Sequence, residues 1–129
     1  MEMRLELVMV PVTDVDRARD FYAQVGFTID HDRTVSDDIR FVQLTPPGSG
    51  CSIAVGRGLT AMAPGSLDNL QVVVPDADAV YAELRERGIP VEGVTDLAWG
   101  RFVFFSDPDG NRWALQELPD YAADAQRRG

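Results

Sequence analysis

Thr13-Asp14-Val15-Asp16 and Pro75-Asp76-Ala77-Asp78 stand 62 positions apart (76 − 14 = 62), and the same interval carries Gly26 to Gly88, Ile29 to Val91, Pro46 to Pro108 and Gly48 to Gly110. Each match is weak alone, but a constant interval from the first segment to the last turn marks two copies of one module. The 129 residues then read as a single domain, with a first module at about 3–60, a linker at 61–66, a second module at 67–118 and a polar tail at 119–129. A module of about 60 residues buries too little surface to be comfortable by itself, so the two copies are expected to pack together.

Working outward from the two aspartate-rich segments, each module reads β-α-β-β-β. Arg4–Val12 and Leu67–Val74 are rich in Val and Leu and bounded by Pro or Asp, so both are expected strands. A helix follows, capped by Asp14 or Asp16 in the first copy and by Asp76 or Asp78 in the second. Val15, Ala18, Phe21, Tyr22 and Val25 recur at helical spacing, as do Ala77, Val80 and Leu84. Gly26 and Gly88 fall just past the last periodic residues, where a left-handed turn favours glycine. Three short strands are then expected at Phe27–Arg33, Ile39–Thr45 and Cys51–Gly56, mirrored by Ile89–Val94, Arg101–Ser106 and Arg112–Leu118. Asp107-Pro108-Asp109-Gly110-Asn111 is strong turn chemistry between the last two. The tail after Pro119 reads as a short helix or a frayed end.

Composition narrows the function classes. With 12 Lys and Arg against 21 Asp and Glu, the net charge is −9, which argues against nucleic acid or an anionic membrane surface as partner. No apolar run approaches the roughly 18 residues of a membrane span, and Met1-Glu2-Met3-Arg4 lacks the flank of a signal peptide. One cysteine, Cys51, and one histidine, His31, exclude an internal disulfide, a cysteine-cluster zinc site and any site needing two imidazoles from one chain. The expectation is a cytoplasmic protein whose partner is a small molecule or another protein.

Strand side chains alternate faces with period two. Val8, Val10 and Val12, matched by Leu70, Val72 and Val74, form an apolar face suited to lie under a helix. The opposite face carries Leu5, Leu7 and Met9 in one copy and Leu67, Asn69, Gln71 and Val73 in the other. In the last strands Cys51, Ile53 and Val55 oppose Ser52 and Ala54, and Trp113 and Leu115 oppose Arg112, Ala114 and Gln116. A face mixing small, polar and apolar groups suggests a cavity wall, since a packed core would want volume there.

Val12-Thr13-Asp14-Val15-Asp16-Arg17-Ala18-Arg19-Asp20-Phe21-Tyr22 with Gly26-Phe27, and Phe105-Ser106-Asp107-Pro108-Asp109-Gly110-Asn111, resemble the opening and closing motifs of the vicinal oxygen chelate superfamily. This group holds glyoxalases, bleomycin-resistance proteins and ring-cleaving dioxygenases. The resemblance implies an α+β fold in which two tandem βαβββ modules form a curved mixed sheet, with a concave cleft and the helices on the convex face. It also implies a homodimer. Enzymes of the superfamily hold a divalent metal with His, Glu or Gln on the first and last strands of each module. By spacing from the motifs those positions are Leu7, Ser52, Asn69 and Ala114, none of them a carboxylate or an imidazole. Such a set cannot replace the oxygen and nitrogen donors that divalent metals need. The expectation is therefore no metal and no cofactor.

The metal-free, drug-binding members are then the nearest in character, and Trp99-Gly100 resembles a tryptophan placed similarly in them. A tryptophan at a cavity mouth can stack on a planar ligand and offer one N–H donor. The ligand-binding set expected from the sequence is Leu7, Met9, Phe41, Ser52, Asn69, Gln71, Trp99, Arg101, Phe105, Ala114 and Gln116, with no catalytic residue. Phe41 is placed in the cavity because Val42 and Leu44 suit the helix side; the 62-residue interval then places Arg101, Val103 and Phe105 beside it and leaves Phe102 and Phe104 in the core, unless the register is inverted. Asn69, Gln71 and Gln116 are the expected polar anchors, as a buried amide without a protein partner wants a ligand.

Other groups read as structural: His31 as one of a solvated charge cluster with Asp30 and Asp32, Tyr22 as core, Asp107 and Asp109 as turn formers, Glu117 at the rim on the helix side, and Cys51 as a buried, inert thiol. Gly56-Arg57-Gly58 lacks the third glycine and following helix of a nucleotide loop. The function expected is metal-independent binding, and sequestration, of a hydrophobic or planar antibiotic-like compound. The alternatives are an enzyme of the same fold (a lyase, isomerase or dioxygenase, metal-free or with an unrecognised metal site) and a subunit acting only through protein contacts.

Overall fold

A computed structural model describes residues 1–120, so the expectation for the tail falls, beyond Asp120, outside the described residues. The elements run β1 Leu7–Met9, α1 Val15–Val25, β2 Thr28–Thr34, β3 Arg40–Thr45, β4 Ser52–Arg57, β5 Leu70–Val73, α2 Ala77–Glu86, β6 Thr95–Leu97, β7 Gly100–Ser106 and β8 Arg112–Glu117. This is βαβββ twice, an α+β chain with two four-stranded mixed sheets ordered β1-β4-β3-β2 and β5-β8-β7-β6. No helix among the described residues is long and apolar enough to cross a membrane.

The chain forms two compact units. One holds Met1–Asp68 together with the β7–β8 turn, Ser106–Arg112; the other holds Asn69–Phe105 and the described residues from Trp113 on. In the first, Asp14 caps α1 by accepting from the Arg17 N–H, and the C-terminal Gly26 adopts a φ of +124°, a left-handed value that favours glycine. Edge strand β1 runs parallel to β4, pairing Leu7 with Ser52 and Met9 with Ala54. It is shorter than the expected Arg4–Val12 because β4 begins only at Ser52, opposite Leu7, and beyond Val10 the chain meets Pro11, which has no N–H to carry the ladder on. Arg40 reaches Asp16 on α1 at 2.8 Å, so the β3 face of Arg40, Val42 and Leu44 is the one beneath the helix. Val42 and Leu44 pair with Val55 and Ile53, and all four are buried. Tyr22 closes this core from above, fully buried and in ring contact with Phe21 and Phe27 at 5.3 Å.

In the second unit Asp76 caps α2 through the Ala79 N–H, repeating the first cap at the same interval. Arg101 on β7 reaches Asp78 of α2 at 2.7 Å, and Glu117 on β8 accepts from the Ala77 N–H at 2.8 Å. The helix side of this sheet therefore carries Arg101, Val103 and Phe105 with Trp113, Leu115 and Glu117, and Phe105 stacks on Trp113 at 5.9 Å.

Two expectations are corrected here. Ile89–Val94 is not a strand; regular pairing begins at Thr95, opposite Phe102, because Pro90 has no N–H to give a ladder and Ile89 is buried after α2 instead. The 62-residue interval also fails to hold to the end. It fits both helix caps, but Arg40 and Arg101, which play the same part toward Asp16 and Asp78, are 61 apart. Ser52–Arg57 and Arg112–Glu117 are 60 apart. A slip of one exchanges the faces of a strand and a slip of two does not. Arg101 and Phe105, expected in the cavity, thus lie on the helix side, while Ala114 and Gln116 stay on the face opposite. Ser52 is matched by Arg112, and Ala54 by Ala114.

Candidate functional site

The second unit's sheet face opposite α2 is aromatic. Phe102 and Phe104 alternate with the helix-side residues of β7, and their rings stack with centroids 5.7 Å apart and planes within 6°. Trp99 sits in the two-residue turn that joins β6 to β7, edge-on to Phe102 at 6.5 Å, and is 58% exposed. An aromatic ring presented this way has an accessible face for stacking on a flat apolar group.

Polar groups border this ladder. Gln71 lies opposite Ala114 and Val73 opposite Gln116 in the parallel β5–β8 pair, so all four share the aromatic side. Gln71 Nε2 donates to Gln116 Oε1 at 2.5 Å, and Gln116 Nε2 donates to the Trp99 carbonyl at 2.7 Å. Gln116 is buried but already has protein partners, so the premise that made it a free anchor does not hold. Asn69 is exposed, precedes β5 and takes a φ of +65°.

On the first unit's corresponding face stand Leu7, Met9, Phe41, Ser52 and Ala54, all half-buried or buried. The Ser52 hydroxyl lies 2.7 Å from that of Thr45, which in turn donates to Asp30. Because Thr45 has a single hydroxyl proton, Ser52 is the donor between the two. A pocket of about 590 Å³ opens elsewhere in this unit, at the start of α1, walled by Thr13, Asp14, Asp16, Arg40, Arg57 and Leu59. Its Arg40 is tied to Asp16 and Asp32, and the guanidinium hydrogen bonds hold both carboxyls below the usual carboxylate range. None of the residues expected from the sequence lines it.

The family model described as Glyoxalase/Bleomycin resistance protein/Dioxygenase superfamily matches residues 4–115. The chain belongs to this superfamily. The glyoxalase/bleomycin-resistance chain is similar in structure to TnmS3, an antibiotic binding protein from Streptomyces sp. CB03234, with 38% identity and a TM-score of 0.82 over 92% of this chain and 98% of that one. A glyoxalase/bleomycin resistance protein from the same strain is 39% identical with a TM-score of 0.77, covering 88% of this chain and 100% of the other. The uncharacterized protein YetH of Bacillus subtilis (strain 168) is 28% identical over 115 residues, 85% of this chain and 94% of its own.

The resemblance places a divalent metal at Leu7, Ser52, Asn69 and Ala114, and the donors at these four positions of this glyoxalase/bleomycin-resistance chain do not fit one. Leu7 and Ala114 offer no donor, which leaves only the neutral hydroxyl of Ser52, hydrogen-bonded to Thr45, and the neutral amide of Asn69, exposed and outside its strand. Ser52's structural match, Arg112, is a cation. Among the described residues no three His, Cys, Asp or Glu side chains gather into a cation-binding group. His31 is exposed on β2, opposite Gln43.

Of the eleven expected residues, the structure groups Leu7, Met9, Phe41 and Ser52 in one unit and Gln71, Trp99, Ala114 and Gln116 in the other. Phe102 and Phe104 share the face of Trp99 and Gln116, and Arg101 and Phe105 stand on the helix side. Both phenylalanines were visible as an alternating pair, but their face depended on a single-residue slip in the repeat. Cys51 also departs from expectation: it is half-buried and precedes β4.

Proposed function

We propose that the chain binds and sequesters a hydrophobic, partly planar, antibiotic-like compound without a metal ion, acting as a cytoplasmic homodimer. The observation that carries this reading is the ladder of Trp99, Phe102 and Phe104, an exposed indole edge-on to a stacked ring pair. The likeness to an antibiotic binding protein at 38% identity supports it, as does a set at Leu7, Ser52, Asn69 and Ala114 that holds no carboxylate and no imidazole. Gln71, with an amide partly free at the border of the ladder, is the polar anchor of the site.

Titration with planar antibiotics, followed by tryptophan fluorescence, tests the proposal. Trp99→Ala is expected to weaken binding by about 1–3 kcal/mol, the range for an aromatic anchor. Elemental analysis, with glyoxalase assays after addition of Ni²⁺, Zn²⁺ or Fe²⁺, tests the metal. Stoichiometric metal with turnover would overturn the reading in favour of an enzyme. Light scattering on the purified protein decides between one chain and two.

A further inference from the structure

We infer that Gln116 is a positioning residue, whose side-chain amide holds the backbone carbonyl of Trp99 and with it the turn that presents the ring to a ligand. The inference rests on the reading of Trp99 as a stacking group and adds what keeps it in place. The Trp99 carbonyl can only accept, so the Gln116 amide must turn Nε2 toward it, at 2.7 Å. That leaves Gln116 Oε1 facing Gln71, whose Nε2 completes the chain at 2.5 Å. The tie is interior, since Gln116 is only 7% exposed, whereas Trp99 is 58% exposed at the tip of a hairpin whose strand β6 has three residues, all exposed.

Gly100 makes the contact possible. Its φ is +149°, and a Cβ there would stand 2.6 Å from the Glu117 carbonyl and 3.1 Å from Gln116 Cγ. The bare glycine lets the hairpin end settle on Gln116, bringing the preceding carbonyl within reach of its amide. Apart from this hydrogen bond, Trp99 meets Phe102 edge-on at 6.5 Å. A buried amide that orders an exposed aromatic reduces the entropy lost when a ligand stacks on it.

The two indole N–H groups provide the test, because Trp113 is 2% exposed in the core and serves as an internal reference for Trp99. Gln116→Leu keeps bulk without hydrogen bonds; Gln116→Glu keeps an acceptor for Gln71 but loses the donor to Trp99. In both variants the heteronuclear NOE of the Trp99 indole is expected to fall while that of Trp113 is unchanged. Binding of the neutral planar dye Nile red is expected to weaken about tenfold, the worth of one hydrogen bond. An unchanged Trp99 NOE in both variants overturns the inference, and so does native dye affinity with a mobile Trp99 when Trp99→Ala itself binds weakly. If instead Trp99→Ala binds the dye as tightly as the native protein, the stacking reading fails, while the fall in NOE still establishes the tie between Gln116 and Trp99.

Discussion

The hydroxyl of Tyr22 on α1 donates to Oδ2 of Asp107 at 2.8 Å, joining residues 85 positions apart inside the first unit. Asn111 Nδ2 donates to the same oxygen at 2.8 Å, and the N–H groups of Asp109 and Asn111 fill Oδ1 at 3.0 and 2.9 Å. Asn111 also donates to the Pro11 carbonyl and accepts from the Leu67 N–H. A buried carboxylate without a cationic partner survives here because four donors replace its lost water. The β7–β8 turn is thereby an integral part of the first unit.

Tyr22→Phe removes one of those four donors while keeping the ring. The expected loss is about 1.5–3 kcal/mol, the range for a hydrogen bond to a charged group. Urea unfolding at neutral pH measures it as a lower midpoint with an unchanged slope; a midpoint equal to the native one would refute it.

Gly100→Ala places a methyl 2.6 Å from the Glu117 carbonyl at a φ of +149°. About 1–3 kcal/mol of destabilisation is expected from the strain. Gly93→Ala, where nothing lies within 4 Å, is expected to stay within about 0.5 kcal/mol of the native protein. Thermal melts of the pair check the contrast, and equal losses in both would contradict it.

Arg40 holds the Asp16 and Asp32 carboxyls low, chiefly by hydrogen bonding to each. A carboxyl whose folded pKa lies below its unfolded value stabilises the fold above the unfolded value, about 4, and loses that contribution as the pH falls through the folded one. The stability gap between native protein and Arg40→Gln is therefore expected to be full near pH 7 and to shrink below about pH 4. These groups are close to solvent, so added salt should narrow the gap at neutral pH. Denaturation across a pH series measures it; a gap that widens in acid would reverse the sign.

Burial pushes the Cys51 thiol up, and the charge of Glu6 adds to it. Little thiolate is present at neutral pH, so alkylation by iodoacetamide, followed by mass spectrometry, is expected to run slower than for free cysteine. Glu6→Gln should quicken it modestly. Alkylation of the native protein as fast as the free amino acid would exclude the effect.

Local chemistry was legible directly. The helix caps were readable to within two residues, Asp14 or Asp16 and Asp76 or Asp78, because a cap is made with an N–H three residues on; the structure selects Asp14 and Asp76, which bond to Arg17 and Ala79. The same held for the Asp107–Asn111 turn and for the order βαβββ twice, since both follow from short-range backbone preference and side-chain period. The face of β7 was beyond that reach. Whether Phe102 and Phe104 or Arg101 and Phe105 line the sheet face opposite α2 turns on one residue gained or lost between α2 and β7, and both patterns alternate equally well. Pairing decided it: Arg101 finds Asp78, Asp96 and Glu117 on one side, and Gln116 finds the Trp99 carbonyl on the other. By itself, then, the sequence determined the repeat, narrowed each cap to one of two aspartates and fixed the residue types at Leu7, Ser52, Asn69 and Ala114. Only the tertiary structure decided which aromatic rings stand together, because strand register is set by contacts between segments that no local pattern encodes.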